Sequence, residues 1–166
     1  MVIKKEIMSF LHCSRENRGV MAALRCLLKT EQRFRGWQHI AALNGIGVIQ
    51  VETVAGLYAL HPLDKNDSNY NFGDACRVLA KTRKTDKESN ESPFDRRFRR
   101  LLSCSSREEL CAHLPDVVRG LKVAEVPINY SALFDDISRW GDLVREQWAI
   151  HYWSDRKEED DVSDRD

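Results

Sequence analysis

Several protein classes are excluded by what this sequence lacks. Its five cysteines, Cys13, Cys26, Cys76, Cys104 and Cys111, are odd in number and contain no CxxC pair, so a disulfide framework is not expected. No leading apolar segment of the signal-peptide kind is seen, and the thiols are therefore expected to be reduced and the protein cytoplasmic. Long hydrophobic runs are missing too. The most apolar window, Ile46 to Leu60, is interrupted by Gln50 and Glu52 and falls short of the ~20 residues a bilayer span needs. It is expected to be buried core, with no membrane partner. There is no Walker loop, no GxSxG and no HExxH, which removes the motifs of the commonest nucleotide, acyl and zinc hydrolases. Internal repeats are absent, and so is net charge: 26 basic residues face 26 acidic ones.

That zero is a sum of unlike parts. From Ser154 to Asp166 seven acids oppose three bases, a charge of −4, which leaves residues 1–153 at +4. The positive charge gathers in residues 1–45 (eight bases, three acids) and 77–122 (twelve bases, seven acids), each at +5. Such asymmetry fits either a polyanionic partner or a face solvated by Lys and Arg. At 166 residues one domain is expected, burying roughly two thirds of its unfolded surface without a disulfide or metal staple.

The periodicity is helical nearly throughout. Ser14 is expected to cap a helix running to about Lys29, with Met21, Leu24 and Leu28 on one face, and Phe34, Trp37 and Ala41 repeat the spacing. Val48 to Val54 is β-branched and could be a strand, but the length of GIGVIQVETVAGLYAL and the lack of a partner strand favour a buried helix. HPLDKNDSNYN reads as a polar loop, and Phe72, Cys76 and Leu79 mark a helix ending in KTRK. TDKESNES reads as a mobile linker. Ser106 and Glu109 form a capping box for a helix carrying Leu110, Leu114, Val117 or Val118, and Leu121, which Pro115 should kink or divide. After VAEVPINY, the residues Leu133, Ile137, Trp140, Val144, Trp148 and Tyr152 describe one long amphipathic helix, or two abutting across Gly141. The expected fold is all-α, a bundle of about six to eight helices with a basic face. It spans residues 1–153, with a possible sub-bundle boundary near 85–92, and the acidic tail 154–166 is expected to be disordered.

The densest charge lies in SPFDRRFRRLL, residues 92–102, where four arginines fall in five positions. Ser92 supplies a side chain to cap free N–H groups, and Pro93 fits a first helical turn where its missing N–H costs nothing. At 100° per residue, Phe94, Phe98, Leu101 and Leu102 share an arc of about 100°, and Arg96, Arg97, Arg99 and Arg100 cover the opposite side. A solvated face with an Asp95–Arg99 pair accounts for one arginine. The remaining three repel one another in the free protein, and the planar guanidinium fork grips phosphate in two contacts, so phosphate binding is the favoured reading.

Catalytic and metal sites find less support. Asp135 and Asp136 diverge by about 100° on a helix and cannot share a metal; a salt bridge from Asp136 to Arg139 is expected instead. Glu109 and His113 share a helix face and could form an acid/base pair, as a small hydrolase or nuclease would need. Cys111 and His113 point apart, and His12–Cys13 lack the further ligands of a zinc site. Trp37, Trp140 and Trp148 lie on apolar faces, leaving Trp153 as the one candidate for base stacking. The EEDD run reads as a solubilising tail. No catalytic residue, metal or cofactor is assigned.

In order and spacing, DRRFRRLL, then SREEL with HL three residues on, then VPINYSALFDDISRWGDLVREQWAIHYW, resembles the small subunit, of CasB type, of the type I-E CRISPR surveillance complex called Cascade. The family's double arginine and leucine pair correspond to Arg96, Arg97, Leu101 and Leu102, its turn to Ile128–Tyr130, and its terminal helix to Leu133, Asp136, Ile137, Trp140, Arg145, Trp148 and Ala149. RGVMAALRC is similar to its RxxLAxLRR segment through Arg18, Leu24 and Arg25. The middle, Gly45 to Ser92, is not covered, and Cys26, Ser103 and Tyr130 depart from the residues the family often has. The resemblance implies an all-helical, non-enzymatic antiviral-defence subunit, normally present in two copies. Its implied partners are the backbone and large Cascade subunits, guide RNA and target DNA, where it helps hold the displaced strand open. It carries nucleic-acid contact onto Arg25, Arg96 and Arg97, with Arg18, Arg99, Arg100, Arg107, Arg119 and Lys122 as surrounding surface charge. The alternative is a helical protein-interaction module whose arginines meet acidic protein groups.

Overall fold

Apolar residues at three- and four-residue spacing close into nine α-helices and two 3₁₀ turns among the described residues, 4–83 and 92–163 of this computed structural model, whose side chains are described as far as Ser154. No strand occurs among them; the only β-contact is an isolated parallel bridge between Asp64 and Ile128. The fold is all-α, as the periodicity predicts. The expected linker TDKESNES, apart from Ser92, and nearly all of the boundary near 85–92 lie outside the described residues, as do the side chains of the acidic tail from Asp155 onward.

The chain begins with α1 (Lys4–Ser14), which buries Ile7, Met8 and Leu11. Ser14 therefore closes a helix instead of capping the next one. The cap of α2 (Arg18–Arg25) is Asn17, whose side chain accepts the Val20 N–H at 3.1 Å, and a 3₁₀ turn, Cys26–Leu28, replaces the expected last helical turn. The next helix, α3 (Phe34–Ile40), leads to α4 (Ile49–Leu60). Val51 to Ala59 are all buried in α4, and a helix that is enclosed all round is the centre of a core. Packing overrides the β-branched character of Val48–Val54: α4 is enclosed by α1, α2, α7 (Arg107–Val123) and α8 (Tyr130–Ser138).

Its one carboxylate, Glu52, is buried and fully used. It bonds Arg33 at 2.7 Å and accepts the Trp37 indole N–H at 3.1 Å and the Gly47 N–H at 2.9 Å. A buried charge survives only when paired and hydrogen-bonded in this way.

Further along the chain α5 (Phe72–Thr82) lies against α9 (Asp142–Ser163). A Cβ on Gly73 would collide with the Trp148 carbonyl oxygen, so this helix pair needs glycine there for close approach. The last aromatic stretch is two helices: α8 ends at Ser138 and α9 starts after Gly141. Asp135 and Asp136 part as expected, Asp135 to Lys4 at 2.5 Å. Asp136 accepts the Trp148 indole N–H at 2.8 Å and does not form the expected ion pair with Arg139. Pro115 does not divide α7, which runs unbroken for 17 residues. No helix among the described residues is long and apolar enough to cross a membrane.

Candidate nucleic-acid interface

The arginine-rich segment forms α6 (Asp95–Leu102). Its entry is a turn closed by two reciprocal bonds: the Phe94 N–H donates to the Ser92 hydroxyl oxygen at 3.2 Å and the Ser92 N–H donates to the Asp95 carboxylate at 3.1 Å. Ser92 therefore closes the turn that leads into the helix and does not cap it: the regular helix starts at Asp95, after Phe94 and without a side-chain cap, and Pro93 lies in the turn before its first residue. Asp95 also accepts the Tyr152 hydroxyl of α9. Phe94, Phe98 and Leu101 are buried, and Phe98 stacks on Tyr152 with ring centroids 3.9 Å apart. Both the polar turn and the aromatic face thus bind α6 to α9. Rotation of α6 about its axis is blocked, and Arg96, Arg97, Arg99 and Arg100 are all exposed.

Arg97 and Arg100, three residues apart, line a groove of about 320 Å³ with His113, Asp116 and Val117 of α7, and Leu101 as part of its floor. The two arginines make no ion pair among the described residues. Asp116, the acid on this wall, is held by Arg119 at 2.7 Å, which offsets its repulsion of an anion. The groove therefore presents two guanidinium forks and an imidazole, donors suited to phosphate oxygens.

The other residues singled out in the sequence are exposed but do not line this groove. Arg107 opens α7, and Lys122 is in its last turn. Arg18 and Arg25, seven residues apart, share one side of α2, which packs on α3 and α4, whereas α6 packs on α7. Trp153 is not free for stacking: it is half-buried, edge-on to Phe98 and Tyr152 at 5.4 and 5.0 Å. His113 enters the groove unanticipated; its spacing from Glu109 pointed to an acid/base pair, and nothing local linked it to α6.

The loop between α6 and α7 is tightly fastened. The Cys104 carbonyl accepts the Trp140 indole N–H at 2.9 Å and a guanidinium N–H of Arg145. Ser106 caps α7 by accepting the Glu109 N–H at 3.1 Å, but the Glu109 carboxylate turns to the Ser105 N–H at 2.8 Å and the Ser105 hydroxyl. These bonds, with the charges of His113 and Arg145, hold the Glu109 carboxyl below its usual range. The thiol of Cys104 and the side chains of Glu109 and His113 bring sulfur, oxygen and nitrogen donors within 4.8 Å of one another.

Residues 20–153 match the model of the family described as CRISPR-associated protein Cse2. The chain belongs to the Cse2 family. Similar solved structures include CasB from Thermus thermophilus, at 20% identity and TM-score 0.67 over 93% of this chain and 99% of that one. CasB of M. ruber follows at 19% identity and TM-score 0.69, over 98% and 99%. A chain of a CRISPR RNA-guided surveillance complex is similar at 18% identity and TM-score 0.68, over 96% and 94%. At these identities the structures speak for the fold, while the Cse2 match speaks for the family. No curated protein matches.

Proposed function

We propose that this chain is a non-catalytic small subunit of a CRISPR RNA-guided surveillance complex, and that its α6–α7 groove holds nucleic-acid backbone phosphate. Membership of the Cse2 family and likeness to a chain of such a complex support the first half. The second half is carried by one observation: Arg97 and Arg100 converge with His113 on a single groove, on a helix whose other face is locked to α9. Arg96, Arg99, Arg107, Arg119 and Lys122 extend the positive surface of these two helices, and Arg18 and Arg25 supply a separate patch on α2. The other subunits, a second copy of the chain, the guide RNA and the target DNA are its partners. Exchange between duplex DNA and an RNA–DNA hybrid is nearly balanced, so backbone contacts that favour the open form tip it without reading any base. Stabilising the paired strands and the displaced strand is the task this chemistry fits.

The test is target binding by the assembled complex as a function of salt, with wild-type chain and with Arg97→Ala/Arg100→Ala. Phosphate contacts make affinity fall steeply with salt, and loss of two should flatten the logarithmic slope by about 2. An unchanged slope with intact assembly would reject the groove as a phosphate site. Failure of the variant to join the complex would instead assign these arginines to acidic groups of a protein partner.

A further inference from the structure

We propose that Cys104, Glu109 and His113 form a zinc site at the junction of α6 and α7. Glu109 and His113 stand one turn apart on α7, and the turn through Ser103–Ser106 folds the Cys104 thiol back beside them, so the three donor atoms lie within 4.8 Å of one another. Ligands on one tetrahedral zinc, with bonds of about 2.0–2.3 Å, sit roughly 3.5 Å apart, so small side-chain rotations close the set. The donors are also largely uncommitted. His113 makes no hydrogen bond among the described residues, and Glu109 uses only one carboxylate oxygen, toward Ser105. The thiol makes one weak bond, donated to the Arg100 carbonyl at 3.4 Å. The backbone around the thiol is held by Trp140 and Arg145 at the Cys104 carbonyl, which fixes the turn that carries the sulfur before an ion arrives.

Sulfur and imidazole select zinc over magnesium or calcium, which take oxygen ligands. Burial raises the Cys104 thiol above its usual pKa, as does the neighbouring Glu109 charge, while Arg145 and Arg100 oppose the rise. The free site therefore carries a thiol and a carboxylate beside the His113 imidazole. Binding forms a sulfur–zinc bond and releases the thiol proton, giving a neutral assembly of Zn²⁺, thiolate, carboxylate and imidazole. Arg145 and Arg100 repel the ion, but both favour the thiolate and Arg145 also favours the carboxylate, and the two negative ligands bind the ion directly. Three protein ligands leave a fourth position for water. Because His113 also borders the groove, the ion would tie the Cys104 loop to α7 beside Arg97 and Arg100.

The experiment uses untagged full-length protein stripped with a chelator, then titrated with Zn²⁺ by calorimetry and with Co²⁺ by absorption. One ion per chain and a thiolate-to-cobalt charge-transfer band are expected, the band vanishing in Cys104→Ser and persisting in Cys13→Ser. Glu109→Gln and His113→Gln should each weaken zinc binding more than about tenfold, since loss even of an outer partner costs that much. No bound ion, or a band that survives Cys104→Ser, overturns the site. So does zinc affinity unchanged in Glu109→Gln and His113→Gln, which would mean a lone thiol capturing metal. Should Cys104→Ser fail to fold, those two variants at the exposed end of the cluster decide the matter.

Discussion

Residues 1–45 and 77–122 carry the same surplus of five positive charges, yet the fold uses them differently. In the first stretch, Lys4 holds Asp135 at 2.5 Å, Arg33 holds the buried Glu52 at 2.7 Å, and Arg35 leans over the Phe34 ring at 6.0 Å. Lys4 and Arg33 thus tie helices together, Arg35 stays within α3, and Arg18 and Arg25 remain exposed on α2. In the second, Arg97 and Arg100 have no ion pair among the described residues, and both face the same groove. The acid that lines this groove with them, Asp116, is already matched to Arg119. A count of charges does not distinguish these two regions; the identity of each cation's nearest acid does. A binding surface needs positive charge that folding has not consumed.

If that distinction is right, the largest effect on stability belongs to the first region. Glu52→Ala removes the acceptor of Arg33, the Trp37 indole and the Gly47 N–H together. Arg33 can turn to water, but the half-buried N–H groups lose their partner, at an expected cost of about 2–4 kcal/mol in urea unfolding at neutral pH. A cost below about 0.5 kcal/mol would show that this network is dispensable. Arg97→Ala/Arg100→Ala should behave in the opposite way. Exposed substitutions of this kind leave stability within about 0.5 kcal/mol, or raise it by relieving repulsion, while target binding loses about two units of salt slope.

Arg25→Ala lies between these cases. Arg25 is exposed in the last turn of α2, where a cation complements the partial negative charge of the helix end by about 0.3–1 kcal/mol. Its loss should cost stability within that range and flatten the salt slope by about 1 if the α2 patch also meets phosphate. A slope change equal to that of the double variant would contradict the leading role given to α6.

The sequence made α6 legible because its signals are local and agree: the turn signal at Ser92 and Pro93, the phenylalanine and leucine arc, and the arginines opposite. The same holds for the enclosed α4, whose apolar length outweighed its β-branched residues. Where two local signals competed, the outcome depended on distant packing. Ser14 and Asn17 can both cap a helix, and the choice followed from α1 burying Ile7, Met8 and Leu11 first, which spends Ser14 on the helix end. The Asp136–Arg139 spacing suits an ion pair, yet Trp148 from the next helix reaches the carboxylate instead. The Cys104, Glu109 and His113 cluster was half visible, as the one-turn spacing of the last two. The sulfur joins them only through a turn whose path is set by Trp140 and Arg145 holding the Cys104 carbonyl from α8–α9 side chains that no local pattern connects to it.

Asp136 gives the smallest test of the same principle, because it is a half-buried acid without the cation that Glu52 has. Burial raises its carboxyl above the ordinary 3.8, more than the Trp148 hydrogen bond and the Arg139 charge lower it, with Asp135 adding to the rise. Above pH 3.8, and up to the folded-state value, the native chain therefore holds more of this proton than the unfolded chain. This site's contribution to stability consequently falls as pH rises through that window and is lowest above it. Asp136→Asn keeps an oxygen to accept the Trp148 N–H but carries no charge. Variant and wild type should unfold alike below the window and diverge above it, with the variant more stable at neutral pH by about 1 kcal/mol or less. A wild type that is the more stable at neutral pH would mean that Arg139, at a distance too long for an ion pair, still compensates the half-buried charge. Cations consumed by folding would then include those that act on an acid from beyond ion-pair distance.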